Sequence, residues 1–115
     1  MSNLLNQNNL EFFKRKDIKG DFIPATKGGA MSDFLEHYDI NNYLDDIEKI
    51  NMYIMGEKDI NGDNSINAEI YTAYMDHTYA YIYYDLDQLP NNCIQRIALS
   101  DFKEILTMWV NFCKF

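Results

Sequence analysis

Cysteine, proline and long apolar runs are scarce in this 115-residue chain, and each scarcity excludes a class of protein. Two cysteines, Cys93 and Cys113, are too few for the disulfide framework of a small secreted domain, so we expect both to be reduced and packed. Two prolines and five glycines beside 47% apolar residues argue against disorder and favour one folded domain over residues 1–115. Without an eighteen-residue apolar run, and with a start (MSNLLNQNNLEFF) unlike a signal peptide, we expect a cytoplasmic protein that spans no membrane.

Positive charge is nearly absent from the middle of the chain. Between Ser32 and Asn92, thirteen carboxylates stand against only Lys49 and Lys58, which gives a net charge of -11 in a stretch that also holds all nine tyrosines. Such a field repels nucleic acid and membrane phosphates and attracts basic proteins. Tyrosine offers a large rigid contact area, and carboxylates accept charge-assisted hydrogen bonds from Arg and Lys. The stretch therefore predicts an interface for a cationic protein.

Residues 1–31 differ in charge from the rest and form a mildly basic N-terminal segment. The KRK cluster at 14–16 resembles a short nucleic-acid patch, but Glu11 and Asp17 stand beside it and favour a solvated face. Attraction to the acidic body is another explanation. The segment ends in Lys27-Gly28-Gly29-Ala30, which we interpret as a flexible connection because it lacks the spacing of a phosphate-binding loop.

Residues 32–50 carry the spacing of a helix. Ser32 is placed to cap its start, and apolar residues recur every three or four positions, with a possible break at Asp39 to Asn42. The opposite side collects Asp45, Asp46 and Glu48, which a solvated helix face or a functional patch would both explain.

Residues 51–99 change to short β-branched and aromatic runs separated by Asn, Gly, Asp and Pro. The runs predict strands at Met52–Met55, Ile66–Met75, Tyr79–Leu86 and Cys93–Leu99. Within the third run, Tyr79, Tyr81 and Tyr83 share one side, and small or aliphatic residues point inward from the other. The tyrosines form either a second packed face or an exposed contact surface, and an alanine substitution at Tyr81 would separate the two.

Residues 100–115 predict a C-terminal helix that docks on this sheet. Ser100 is placed to cap it, and an apolar stripe centred on Trp109 provides the buried side. The whole pattern predicts an α+β fold: an antiparallel meander sheet of three to four strands, with an N-terminal helical region and a C-terminal helix packed on the sheet.

The run from Asp59 to Glu69 resembles a calcium-binding loop, with oxygen-bearing side chains at alternate positions. Asn64 replaces the glycine of the sharp turn, and Ile70 stands where a bidentate acid would close the coordination shell. A hairpin loop explains the run as well, so we expect no cofactor, and a small calcium-binding module stays an alternative.

Catalytic patterns are as scarce as cysteine. The only histidines, His37 and His77, are forty residues apart, and no metal-protease, nucleophile-elbow or Cys-x-x-Cys arrangement occurs. Asp76-His77 could orient an imidazole, but no nucleophile accompanies it. We therefore expect a protein that is not an enzyme.

A strand followed by Ser100-Asp101-Phe102-Lys103-Glu104-Ile105-Leu106 and Trp109, in IALSDFKEILTMWVNF, closes a small acidic α+β chain. This arrangement over residues 50–115 resembles the immunity proteins of bacterial polymorphic toxin systems, in particular those of contact-dependent growth inhibition. The resemblance implies a cytoplasmic antitoxin that binds the toxin domain of its own system, often a basic nuclease, and blocks it.

The charge pattern and the resemblance favour the same partner, a basic toxin domain held by an acidic surface that bears tyrosine. An acidic nucleic-acid mimic that inhibits a host enzyme is the other alternative. The residues that we expect to contact the partner are Asp45, Asp46, Glu48, Glu57, Asp59, Asp63, Asp76, Tyr81, Asp85 and Asp87.

Overall fold

The computed structural model describes residues 4–57, 62–85 and 93–114 and consists of helices and two antiparallel sheets. The last four strands pair in sequence order as a four-stranded sheet, and the first two strands pair as a separate hairpin. The α+β class, the antiparallel meander, the helical N-terminal region and the C-terminal helix on the sheet are confirmed. The elements are α1 (Leu4–Gln7), β1 (Glu11–Lys16), β2 (Phe22–Lys27), α2 (Gly29–His37), a 3₁₀ turn (Ile40–Asn42), α3 (Tyr43–Ile54), β3 (Ser65–Ala68), β4 (Tyr71–Met75), β5 (Tyr79–Tyr84), β6 (Cys93–Ala98) and α4 (Leu99–Cys113).

One face of the four-stranded sheet is buried beneath the helices. Ile66 lies opposite Ala73, and Ala73 lies opposite Ile82, so that small and aliphatic side chains from three strands form one inward row. Tyr79, Tyr81 and Tyr83 of β5 alternate with these residues, as the period of two predicts. The inward side chains share a single hydrophobic core with residues of α1, α2, α3 and α4.

Among the helices, α4 contributes the most residues to this core. Five residues at the predicted spacing are buried, and Trp109 is among them with 3% of its surface exposed. Trp109 is therefore a core residue and not a binding anchor, as its position in the stripe predicts. Within the described residues, no helix is long and apolar enough to cross a membrane.

The predicted strand at Met52–Met55 was wrong, because Met52–Ile54 form the last turn of helix α3 and Met55 is its C-cap. The apolar spacing that begins before them carries on through the buried Ile50 and Tyr53. The helix ends at Ile54, and Gly56 follows its C-cap with a φ of +81°, which suits a residue without a side chain. Its N–H bonds to the carbonyl of Tyr53, and the N–H of Glu57 bonds to the carbonyl of Met52, which is the pattern of a Schellman end.

Two predicted helix caps were also wrong. Helix α2 begins at Gly29, which places Ser32 inside the helix with 2% of its surface exposed. Helix α4 begins at Leu99, so that Ser100 lies within its first turn and no side chain caps the start. The expected interruption of the first helical region is confirmed, since the 3₁₀ turn separates α2 from α3.

The predicted strand Ile66–Met75 is two strands joined by a two-residue turn, with Glu69 in the left-handed region at φ +55°. Strand β5 ends at Tyr84, and Leu86, the predicted end, lies outside the described residues. A further correction concerns Cys93, which is exposed rather than packed, whereas Cys113 is half-buried, and both are free thiols.

The hairpin of β1 and β2 was not expected from the sequence, and neither was the rigidity of the connection that follows it. Gly28 has a φ of +129°, and a Cβ at this position would lie 1.9 Å from the backbone oxygen of Asn9. Only glycine allows this approach, so the glycines form a packed joint between the hairpin and α2 rather than a flexible connection.

Candidate protein-binding surface

Four tyrosines line the outer face of the four-stranded sheet, and we call Tyr74, Tyr79, Tyr81 and Tyr83 the tyrosine face. Their side chains alternate with the buried residues of β4 and β5, so they point away from the helices. Tyr74 is 43% exposed, and the other three are partly exposed. Of the two readings open from the sequence, an exposed surface fits this geometry, because no described element packs over the tyrosines.

The rings of the tyrosine face support one another. The Tyr74 and Tyr83 rings meet edge to face with centroids 5.5 Å apart, and the Tyr79 and Tyr81 centroids are 6.0 Å apart. On β6, the guanidinium of Arg96 lies 4.2 Å from the centre of the Tyr79 ring. The result is a preordered aromatic surface, which loses little conformational entropy when a partner covers it.

Asp76 fixes one end of this face at the turn between β4 and β5. Its Oδ1 accepts hydrogen bonds from the backbone N–H groups of Thr78 (2.8 Å) and Tyr79 (2.6 Å), and its Oδ2 accepts one from the Tyr81 hydroxyl (2.9 Å). Burial alone would raise the pKa of Asp76, but these three bonds outweigh it and lower the pKa. The same contact raises the pKa of Tyr81, so at neutral pH an anion holds a neutral phenol in place.

Asp63 lies two residues before β3, beside helix α3. Its carboxylate accepts hydrogen bonds from the Lys49 ammonium (2.9 Å) and from the N–H and hydroxyl of Ser65 (3.0 and 2.7 Å). The bond from Lys49, followed by those from Ser65, lowers the pKa of Asp63 to about 2. Asp63 is thus ionised at neutral pH, with half of its side chain exposed.

The same contact bears on the calcium-loop alternative. Lys49 Nζ also lies 3.1 Å from the Ser65 carbonyl oxygen, so an ammonium occupies the position between two of the oxygens that the loop pattern assigns to a cation. Asp59 lies outside the described residues. Among the residues that the structure describes, no group of three or more His, Cys, Asp or Glu side chains could hold a metal ion.

The three predicted acids of helix α3 differ in their surroundings. Asp46 is half-buried, and it accepts a 2.6 Å hydrogen bond from the Tyr38 hydroxyl. Burial raises the pKa of Asp46, although the bond from Tyr38 and the charge of Lys49 oppose the change. Asp45 and Glu48 are exposed, so Asp46 serves the fold while its two neighbours face solvent.

Glu57 and Asp76 come together at the end of α3. They line an open cleft of about 350 Å³ with the phenol of Tyr53 and the imidazole of His77. His77 is exposed in the turn, and the Asp76 carboxylate beside it is already bonded to the backbone and to Tyr81. The pair therefore lacks the geometry of an oriented general base.

Asp85 lies at the opposite end of the sheet, where its Oδ2 accepts a 2.8 Å hydrogen bond from the Thr72 hydroxyl. The six residues of β5 separate it from the turn of Asp76, which corresponds to about 20 Å along a strand. Asp87 lies outside the described residues.

The structure thus brings Asp63, Asp76 and Tyr81 to one end of the tyrosine face, with Glu57 beside them. It places Asp45 and Glu48 on a helix and Asp85 at the far end of the sheet. The sequence prediction missed Tyr74 and Arg96 as members of the surface. The alternation of β4 carried a signal for Tyr74, but Arg96 depends on strand pairing that no local pattern shows.

Comparisons of the chain with protein-family models, with curated proteins and with solved structures give no match, so function must be inferred from this surface itself.

Proposed function

We propose that the protein is an immunity protein, which binds a basic toxin domain and neutralises it by forming a stoichiometric complex in the bacterial cytoplasm. The observation that carries the proposal is the tyrosine face, a preordered and solvent-facing aromatic surface with the ionised Asp76 at its edge. The resemblance of residues 50–115 to such immunity proteins supports the same conclusion.

Charge and aromatic contact have separate roles in such a complex. The acidic middle of the chain attracts a cationic domain and accelerates encounter, since steering raises association rates without any new contact. Tyrosine and arginine are the residue types that dominate binding energy at protein interfaces, so the tyrosine face with Arg96 would slow dissociation.

The direct experiment recovers the polypeptide that this chain captures from its native host, and the captured domain is then purified and assayed for toxic activity. Titration with the immunity protein should abolish the activity at one equivalent. The association rate should fall about tenfold or more when salt rises from about 0.1 M to about 1 M, because the Debye length shrinks from about 10 Å to about 3 Å. A complex insensitive to salt, or inhibition of several unrelated nucleases to the same degree, would overturn the proposal.

Two substitutions locate the surface. Tyr74→Ala removes an exposed ring and should weaken binding at least tenfold, chiefly through faster dissociation, with unfolding temperature nearly unchanged. Glu57→Lys should slow association, whereas the charge-matched control Glu104→Lys, exposed on α4 in the helical layer, should not. Equal effects of the two charge reversals would show that net charge, rather than this face, governs binding.

A further inference from the structure

The distal half of the β1–β2 hairpin projects from the body, and we call residues 14–23 the arm. Two large apolar side chains are open to water there: Ile18 is fully exposed, and Phe22 is 66% exposed. Lys16 Nζ lies 5.3 Å from the centre of the Phe22 ring. The arm therefore carries basic side chains next to exposed apolar side chains.

The charge of the arm is effectively positive. It carries four cations, Lys14, Arg15, Lys16 and Lys19, against Asp17 and Asp21. The Asp17 carboxylate is occupied within the turn, where it accepts hydrogen bonds from the N–H groups of Lys19 and Asp21, both at 2.9 Å.

The tip of the arm has little to pack against within the monomer, whereas Lys14 at its base lies over the Phe112 ring and donates to the Phe112 carbonyl. The arm contributes no residue to the hydrophobic core; Leu10, just before β1, belongs to the core, and Phe12 of β1 packs against it. A two-stranded hairpin is marginally stable by itself in water. Docking on a second molecule would therefore bury the exposed surface of Ile18 and Phe22.

A complementary surface lies on helix α3. Leu44 is 77% exposed and Met55 is 67% exposed, and the exposed Glu48 lies between them. The spacing of four and seven residues places all three on one side of the helix, and we call them the α3 stripe. Asp45 borders the stripe, so acidic side chains lie next to exposed apolar side chains on this helix.

We propose that the protein associates with itself, the arm of one copy docking on the α3 stripe of a second copy. These two sites hold the four most exposed large apolar residues of the described chain, and their charges are opposite in sign. Neither site covers the other within one molecule, because Ile18 and Leu44 are both open to water. Exchange of two arms about a two-fold axis closes the contacts into a dimer.

The first experiment measures mass by sedimentation at low and high salt. The protein should be dimeric at about 0.1 M salt and should dissociate towards about 1 M, because the Debye length falls to about 3 Å. The double variant Ile18→Ser/Phe22→Ser removes the apolar part of the arm, and Leu44→Ser/Glu48→Lys alters the stripe; each should be monomeric. Ile94→Ser, exposed to 44% on a different strand, is the matched control and should remain dimeric.

Mixing distinguishes arm-to-stripe docking from other modes of association. The arm variant keeps an intact stripe and the stripe variant keeps an intact arm, so the mixture should form a heterodimer through one contact. Association weaker by about tenfold or more than that of the unmodified chain is expected, since one of two contacts is lost. No heterodimer, or a monomeric unmodified chain at low salt, would overturn the proposal. Asp45 and Glu48 are also among the expected toxin contacts, but the toxin-binding test substitutes Tyr74 and Glu57, and this test substitutes Ile18, Phe22, Leu44 and Glu48. Either proposal can therefore fail while the other stands.

Discussion

Replacement of Asp76 by alanine should destabilise the fold even though the side chain lies at the surface end of a turn. The substitution removes the acceptor of three hydrogen bonds, two from backbone N–H groups and one from the Tyr81 hydroxyl.

The magnitude follows from the number of bonds and from their exposure. A net contribution of about 1 kcal/mol for each bond, reduced because water reaches this turn, gives a loss of about 2 kcal/mol. For a chain of 115 residues the unfolding entropy is about 0.24 kcal/mol/K, so the midpoint should fall by about 8 °C.

Urea unfolding followed by the fluorescence of Trp109 measures this loss, and Asp76→Asn is the control. Asparagine keeps an oxygen for the backbone donors and can donate to the Tyr81 oxygen, so its loss should be less than half as large. Because the folded pKa of Asp76 is lowered, its ionic contribution is present above the ordinary pKa of an aspartate and disappears as pH falls from about 4. The gap between the wild type and Asp76→Asn should therefore close in acid. Equal stability of Asp76→Ala and wild type at neutral pH would refute the reasoning.

Three further predictions concern the core, the joint and the edge of the sheet. Phe102→Ala should cost about 3 to 5 kcal/mol in urea unfolding because the side chain is fully buried; a loss under 1 kcal/mol would show a loosely packed core. Gly28→Ala should lower stability by about 3 kcal/mol or more in the same measurement, because the added Cβ collides with the backbone of Asn9. Gly20→Ala is the control: its Cβ meets nothing within 4 Å, so it should cost only the strain of a left-handed residue, about 1 to 2 kcal/mol. Lys49→Met should return the pKa of Asp63 from about 2 towards its ordinary value in an NMR titration. The loss of stability should be at most about 1 kcal/mol because the pair is partly exposed. An unchanged pKa would assign the shift to Ser65 alone.

The sequence predicted those elements whose pattern is local. The stripe through Trp109 and the alternation through Tyr81 both depend on residues a few positions apart, and both were correct. Met52–Met55 failed because a four-residue apolar run fits a strand or the last turn of a helix, and only the Schellman bonds after it decide between them.

Long-range contacts explain the remaining failures. The basic cluster at 14–16 gave no strand signal, since its partners across the hairpin are residues 22–24 and the exposed strands lack apolar alternation. For the candidate site, the sequence gives the acidic residues, but it does not show which of them bond within the fold and which stay open to a partner. Asp46 bonds to Tyr38, eight residues away, and Asp63 bonds to Lys49, so tertiary packing decides which carboxylates remain available.

The lysine that joins α3 to the entrance of β3 also determines how the protein responds to its ionic surroundings. A covalently attached ammonium cannot be diluted away or removed by a chelator, and a divalent ion would have to displace it from both Asp63 and the Ser65 carbonyl. The entrance of β3 is consequently fastened to helix α3 by a cation that belongs to the chain itself, so a divalent ion that approached Asp63 would compete with Lys49.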